Sequence, residues 1–220
     1  MKKLYLMAMV VSAILLAGNA FAITTANIDG ADTGEWTSLI ISATDPNEAG
    51  LNDNYDIFKL GMILENNGDA NDGLYIGIDL FGTPTLGNYP EAGSTTPFYQ
   101  TLIDINMNGI IDGNDREIFF KKVGGVNTLT VLDGAGNPVA GTPQWAMGSV
   151  IEWFIPASMF SSFPVGGFQT WTKMDNGAIA AEDLVPDSGW NTTIPEPSSM
   201  LLLGIGLIGF AGRMVKKFKV

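Results

Sequence analysis

The 220-residue chain contains no cysteine and no histidine. Without cysteine there is no disulfide framework, thiolate nucleophile or iron–sulfur cluster. Without histidine there is no Ser-His-Asp or Cys-His triad and no imidazole-ligated zinc or iron. Positive charge is scarce too, since 11 Lys and Arg face 23 Asp and Glu, a net charge of −12. Lys2, Lys3, Arg213, Lys216, Lys217 and Lys219 stand at the two ends, leaving the middle only Lys59, Arg116, Lys121, Lys122 and Lys173. Every acid except Glu196 lies in that middle, so five bases meet 22 acids there and its charge is −17. A surface that acidic repels nucleic acid and anionic membranes, and no nucleic-acid partner is expected. Carboxylates, hydroxyls, amides and aromatics remain, a set suited to hard cations, sugars and protein surfaces.

The N-terminus has the three parts of a secretory signal peptide over residues 1–22. Lys2 and Lys3 precede the apolar run from Leu4 to Ala17, and Ala20-Phe21-Ala22 supplies a small-x-small cleavage pattern. Cleavage after Ala22 would start the mature chain at Ile23.

The C-terminus, residues 194–220, also has three parts. Pro195-Glu196-Pro197 is stiff, because proline fixes φ and removes a backbone donor. The apolar stretch from Met200 to Ala211 then permits a short transmembrane helix, and Arg213 opens a basic cluster that favours the cytoplasmic side. This order resembles the PEP-CTERM sorting signal of exported Gram-negative and cyanobacterial proteins. The resemblance implies an exosortase as processing partner and a precursor anchored in the inner membrane. It also implies a destination at the cell surface or in an exopolysaccharide matrix, the setting of biofilm.

Residues 23–193 have the size of one domain, able to bury roughly 70% of the unfolded surface. Their periodicity is that of strands. Phe58, Leu60, Met62 and Leu64 alternate along one face, as do Leu74, Ile76, Ile78 and Leu80, with turn formers from Asn66 to Gly73 between them. Further strands are expected at Ser38–Ala43, Thr101–Ile105, Glu117–Val123, Val126–Leu132, Val150–Ile155 and Phe168–Lys173, with Gly124-Gly125 as a hairpin turn. Only Pro156 to Phe160 reads as a turn of helix. The expected fold is all-β, a single antiparallel β-sandwich.

The sharpest chemical motif runs from Asp104 to Asp115. Asp104, Asn106, Asn108, the carbonyl of Ile110, Asp112 and Asp115 occupy positions 1, 3, 5, 7, 9 and 12 of a calcium-loop template, with Gly109 at position 6. Hard Ca²⁺ takes six to eight oxygens, and alternate side chains on a curled loop supply them. The pattern is similar to dockerin and EF-hand loops. Strands flank it rather than helices, so the expected site is a calcium loop set into a β-fold.

Asp29-Gly30 with Glu35-Trp36, Leu74-Tyr75-Ile76, and Glu152-x-x-Ile155-Pro156 form a second, dispersed pattern. Their order resembles family 9 carbohydrate-binding and DOMON-like β-sandwich domains, which implies sugar binding on aromatic platforms. Any of Trp36, Trp145, Trp153, Trp171 and Trp190 is available for that, with Trp36 and Trp153 the better fits to a core. Trp145 and Trp190 beside polar residues, and Tyr89 and Tyr99 near a Gly- and Pro-rich stretch, are the candidate sugar contacts. Glu35 and Glu152 are the least loop-like acids for a glycoside hydrolase, but no spacing selects a pair. The expected function is a non-catalytic, carbohydrate-binding surface or matrix protein with structural Ca²⁺. A structural or adhesive protein with no sugar ligand is the alternative.

Overall fold

β-Branched and aromatic runs between Gly, Asn and Asp clusters make twelve strands among the described residues. In chain order they are β1 (Ile41–Thr44), β2 (Ile57–Glu65), β3 (Gly73–Leu80), β4 (Asn88–Tyr89), β5 (Phe98–Asp104) and β6 (Arg116–Val123). Then follow β7 (Val126–Asp133), β8 (Gln144–Met147), β9 (Ile151–Pro156), β10 (Phe168–Asp175), β11 (Glu182–Val185) and β12 (Asn191–Thr193). The computed structural model describes residues 27–31, 41–47, 52–66, 68–86, 88–89, 98–164, 167–175, 182–186 and 190–193. The expected signal peptide with Ala20 and Ala22, and the tail with Pro195, Glu196, Pro197, Arg213 and its helix, lie outside them. So do Glu35 and Trp36. Among the described residues, no helix is long and apolar enough to cross a membrane.

Two sheets form the expected β-sandwich. One has the order β1-β2-β3-β9-β8 and is antiparallel throughout. The other follows β11-β10-β5-β6-β4, with β12 on β10 and β7 on β6. Strand β11 pairs with Thr172–Asp175 and β12 with Phe168–Thr170, so the two share one flank of β10. Similarly, β7 runs along all of β6, and β5 and the short β4 divide its other flank. The β4–β6 pair is parallel, a small departure from an all-antiparallel expectation. Strands β4, β8, β11 and β12 were not legible in the periodicity, because two to four residues cannot display a period.

The core lies between the sheets. Leu60, Met62, Leu74, Ile76 and Ile78 of the first meet Tyr99, Ile103, Ile118, Phe120 and Phe168 of the second. Phe58 is a correction: it is 40% exposed, although the alternation places it with Leu60. A bulge between Ile57 and Lys59 inserts one extra residue opposite Leu80 and Asp79, which reverses the facing before Lys59. Ile57 therefore takes the core position. The outer face of the first sheet is also covered, by Ile63, Tyr75 and Phe154 with Ile28 against them. The expected hairpin turn is present, with positive φ at Gly124 and Gly125, the pattern a two-residue turn needs. The helical turn is three residues of 3₁₀ helix at Ala157–Met159.

Candidate functional site

The Asp104–Asp115 loop leaves β5 and enters β6, joining two paired strands. Met107 and Gly109 both have positive φ, which curls the chain tightly enough for its own amides to face inward. Asp104 receives the N–H of Asn108 at 3.3 Å and of Gly109 at 2.7 Å. The side-chain oxygens of Asn106 and Asn108 accept from Asn108 and Ile110. Amide groups of Asn106 and Asn108 reach Asp112 Oδ2 at 3.1 and 3.5 Å, so positions 3, 5 and 9 of the motif converge. Buried Asp115 closes the loop by accepting the N–H of Ile105 and of Asp112, at 2.8 and 2.7 Å. The structure thus brings five of the predicted side chains into one loop. Ile110 is exposed there.

The electrostatics of the two carboxyls differ. The Asn114 backbone N–H holds Asp112 below the usual carboxylate range, with the Asn106 and Asn108 side chains assisting against burial. Burial pushes Asp115 up against its backbone hydrogen bonds, and the carboxylates of Asp104 and Asp112 add to the rise. An ionised Asp115 therefore costs the fold something that a bound cation would offset. All side-chain donors in the loop are oxygens, which fits a hard cation.

Two neighbours hold the loop in place. Gly134 lies against Asp112 so closely that a Cβ there would sit 1.7 Å from the Asp112 carbonyl oxygen. Buried Arg116 donates from Nε to Met159 O at 2.6 Å, and from one terminal nitrogen to Asn114 O and Asp115 O at 2.9 and 2.6 Å. Its guanidinium also lies over the Phe160 ring. Burial pushes the Arg116 pKa down, while Asp133 and Asp115 pull it back up. Arg116→Lys should lower stability by about 1–2 kcal/mol, because a point ammonium cannot span three carbonyls in the fork geometry. A urea midpoint unchanged from the parent would show that these contacts contribute little.

A second acidic group was invisible in the sequence. One carboxylate oxygen from each of Asp45, Asp56 and Asp183 lies within 4.8 Å of the other two, and the three side chains are buried. This triad could hold a metal ion. Asp183 Oδ2 also accepts the N–H of Ile57. Burial raises the pKa of the neighbouring Tyr99 hydroxyl, with Tyr55 and Asp183 adding to the effect, and that hydroxyl donates to Asn54 O at 3.4 Å. The acids are separated by 127 residues between Asp56 and Asp183, so no local spacing reveals them.

The aromatics fall into distinct places. Tyr99 is fully buried, so its ring has no face to offer a ligand, a correction to its expected place beside a loop. Its strand begins earlier than Thr101, and the register turns Tyr99 inward. Trp153 is fully buried as well, as its apolar strand suggested. Trp145 is 38% exposed on edge strand β8, its ring 5.0 Å from Phe120. Trp190 is half-buried just before β12, and Tyr89 pairs through its backbone with Val123. Trp171 stands on the outer face of the second sheet with Phe98, Gln100, Glu117 and Phe119. There Phe98 and Phe119 lie 5.9 Å apart, Lys173 Nζ caps Phe98 and Trp171, and Gln100 donates to Glu117.

The dispersed Asp-Gly and Glu pattern meets in space. Glu152 Oε2 accepts the N–H of Asp29 at 2.8 Å and of Gly30 at 2.6 Å. The Gly30 carbonyl in turn accepts from Ser149 at 2.8 Å. These contacts clamp the N-terminal segment onto β9.

Comparison with known proteins supplies the address. The PEP-CTERM protein-sorting motif matches residues 193–217. The motif implies processing by an exosortase and an exported, membrane-anchored precursor sorted to the cell surface. No curated protein and no solved structure matches the chain.

Proposed function

We propose that this exosortase-sorted protein is a non-catalytic carbohydrate-binding component of the cell surface or exopolysaccharide matrix. The observation that carries this reading is the outer face of the second sheet. Trp171, Phe98 and Phe119 there offer half-buried apolar ring surface, and Glu117 and Lys173 offer hydrogen-bonding groups beside it. An aromatic ring covers the C–H face of a pyranose, while amides and charges take its hydroxyls. Trp171 is half-buried, and Trp145 adds an exposed indole on the other sheet. Sorting to the cell surface would bring such a face within reach of extracellular glycans. Support for a non-catalytic role comes from Glu152, whose carboxylate is buried and serves the backbone.

The Asp104–Asp115 loop belongs to the same reading as a Ca²⁺ site. Asp104, Asn106, Asn108, Asp112 and Asp115 would hold the ion by side chains and Ile110 by its carbonyl, and the ion would supply positive charge to a loop rich in carboxylates. Its affinity is expected in the range of extracellular modules, on the order of 0.1–1 mM.

A polysaccharide array tests both parts when run in Ca²⁺ and again in chelator. The expected result is binding to defined glycans that Trp171→Ala weakens by about tenfold or more, the loss of roughly 1.4 kcal/mol of stacking. Weaker binding in chelator would connect the loop to the ligand face. A blank array with folded protein would remove the sugar reading and leave a structural or adhesive surface role.

A further inference from the structure

Asp45 follows β1 and Asp56 immediately precedes β2, both in the five-stranded sheet. Asp183 stands in β11 of the other sheet. The three side chains are 5%, 0% and 1% exposed, where carboxylates rarely lie without compensating charge. All three take part in other contacts of the fold. Asp45 Oδ2, Asp56 Oδ1 and Asp183 Oδ1 are buried atoms that accept no hydrogen bond. Buried acceptor oxygens are normally satisfied, and three like charges this close repel strongly in a poorly solvated site.

We propose that Asp45, Asp56 and Asp183 form a divalent-cation site of the calcium class that staples the two sheets together. The donor set is oxygen only, which selects a hard cation. Two oxygens bound to one Ca²⁺ at about 2.4 Å cannot lie more than about 4.8 Å apart, and the three carboxylates meet that limit. A single ion would satisfy acceptors from both sheets at once. Because it bridges separate segments, it would stabilise the assembled sandwich rather than one hairpin. The site is independent of the Asp104–Asp115 loop in sequence and in strand context.

The test uses the full chain purified in detergent, with Ca²⁺ as the probe. The Asp104→Asn/Asp112→Asn double variant removes the loop's contribution. In that background, calorimetric titration should still find one Ca²⁺ per chain, and Ca²⁺ should still raise Tm. Adding Asp56→Asn, a change of almost no volume, should abolish both effects. In chelator the same Asp56→Asn change should raise Tm, because it relieves repulsion among three like charges. Asp45→Asn should behave in the same way. A Ca²⁺-induced rise that survives Asp56→Asn unchanged, or a lower Tm in chelator, would overturn the proposal and make these carboxylates purely structural. Loss of all Ca²⁺ binding in the loop double variant alone would also overturn it. Failure of the loop reading has a different signature, an unchanged stoichiometry when Asp104 and Asp112 are replaced.

Discussion

Glu152→Ala should destabilise the protein by about 3–5 kcal/mol, read as a shift of the urea midpoint. Two backbone N–H groups, those of Asp29 and Gly30, donate to one oxygen of a side chain that is 0% exposed. Hydrogen bonds to a charged acceptor contribute about 1.5–3 kcal/mol each, and a donor left buried without an acceptor costs more than one returned to water. The Gly30 region cannot easily shift to compensate. Its carbonyl is bonded to Ser149, and Gly148 packs so tightly that a Cβ there would lie 2.4 Å from Gly30 O. Glu152→Gln keeps an oxygen acceptor of nearly the same shape and should lose only about 1–2 kcal/mol. A loss below about 1 kcal/mol for the alanine variant would mean that the N-terminal segment is held by other contacts.

Gly134→Ala is expected to cost about 2–4 kcal/mol and to blunt the Ca²⁺ response proposed for the Asp104–Asp115 loop. The added Cβ would meet the backbone of Asp112, with its carbonyl oxygen at 1.7 Å and carbonyl carbon at 2.3 Å. Backbone atoms cannot swing aside as a side-chain tip can, so either the 133–137 turn or the loop must move by more than an ångström. Asp112 is where the amides of Asn106 and Asn108 converge, so displacing it spoils the arrangement that would bind the ion. Gly136→Ala is the matched control. Nothing lies within 4 Å of its Cβ position, and the cost there is only the strain of φ +82, about 1–2 kcal/mol. Urea unfolding, with and without Ca²⁺, separates the two. Equal losses and equal Ca²⁺ responses would show that the Asp112 contact has no part in shaping the loop.

Much of this molecule is determined locally and was therefore legible in the sequence. The PEP-CTERM tail is read as a linear string, so its order of Pro-Glu-Pro, apolar run and basic cluster suffices, and the family match covers it. Long strands such as β2 and β3 announce themselves through alternation, because a half-buried pleated surface demands period two. The Asp104–Asp115 loop is also local, since its inward amides follow from Asx residues and two left-handed turns within twelve positions.

Tertiary structure decided everything that depends on parity or on distance along the chain. The bulge at Ile57–Lys59 turned Phe58 outward, a reversal that only pairing with β3 can impose. The strand register put Tyr99 in the core and Trp171 on the outer face, although both are aromatic residues in strands with the same kind of composition. Glu152 reached Asp29 and Gly30 from more than a hundred residues away. The aspartate triad is the extreme case. A carboxylate beside β1, another before β2 and a third in β11 become neighbours only when two sheets close on one core. Side-chain spacing along a strand carries the period of that strand alone, whereas the contact between sheets is set by packing the whole domain.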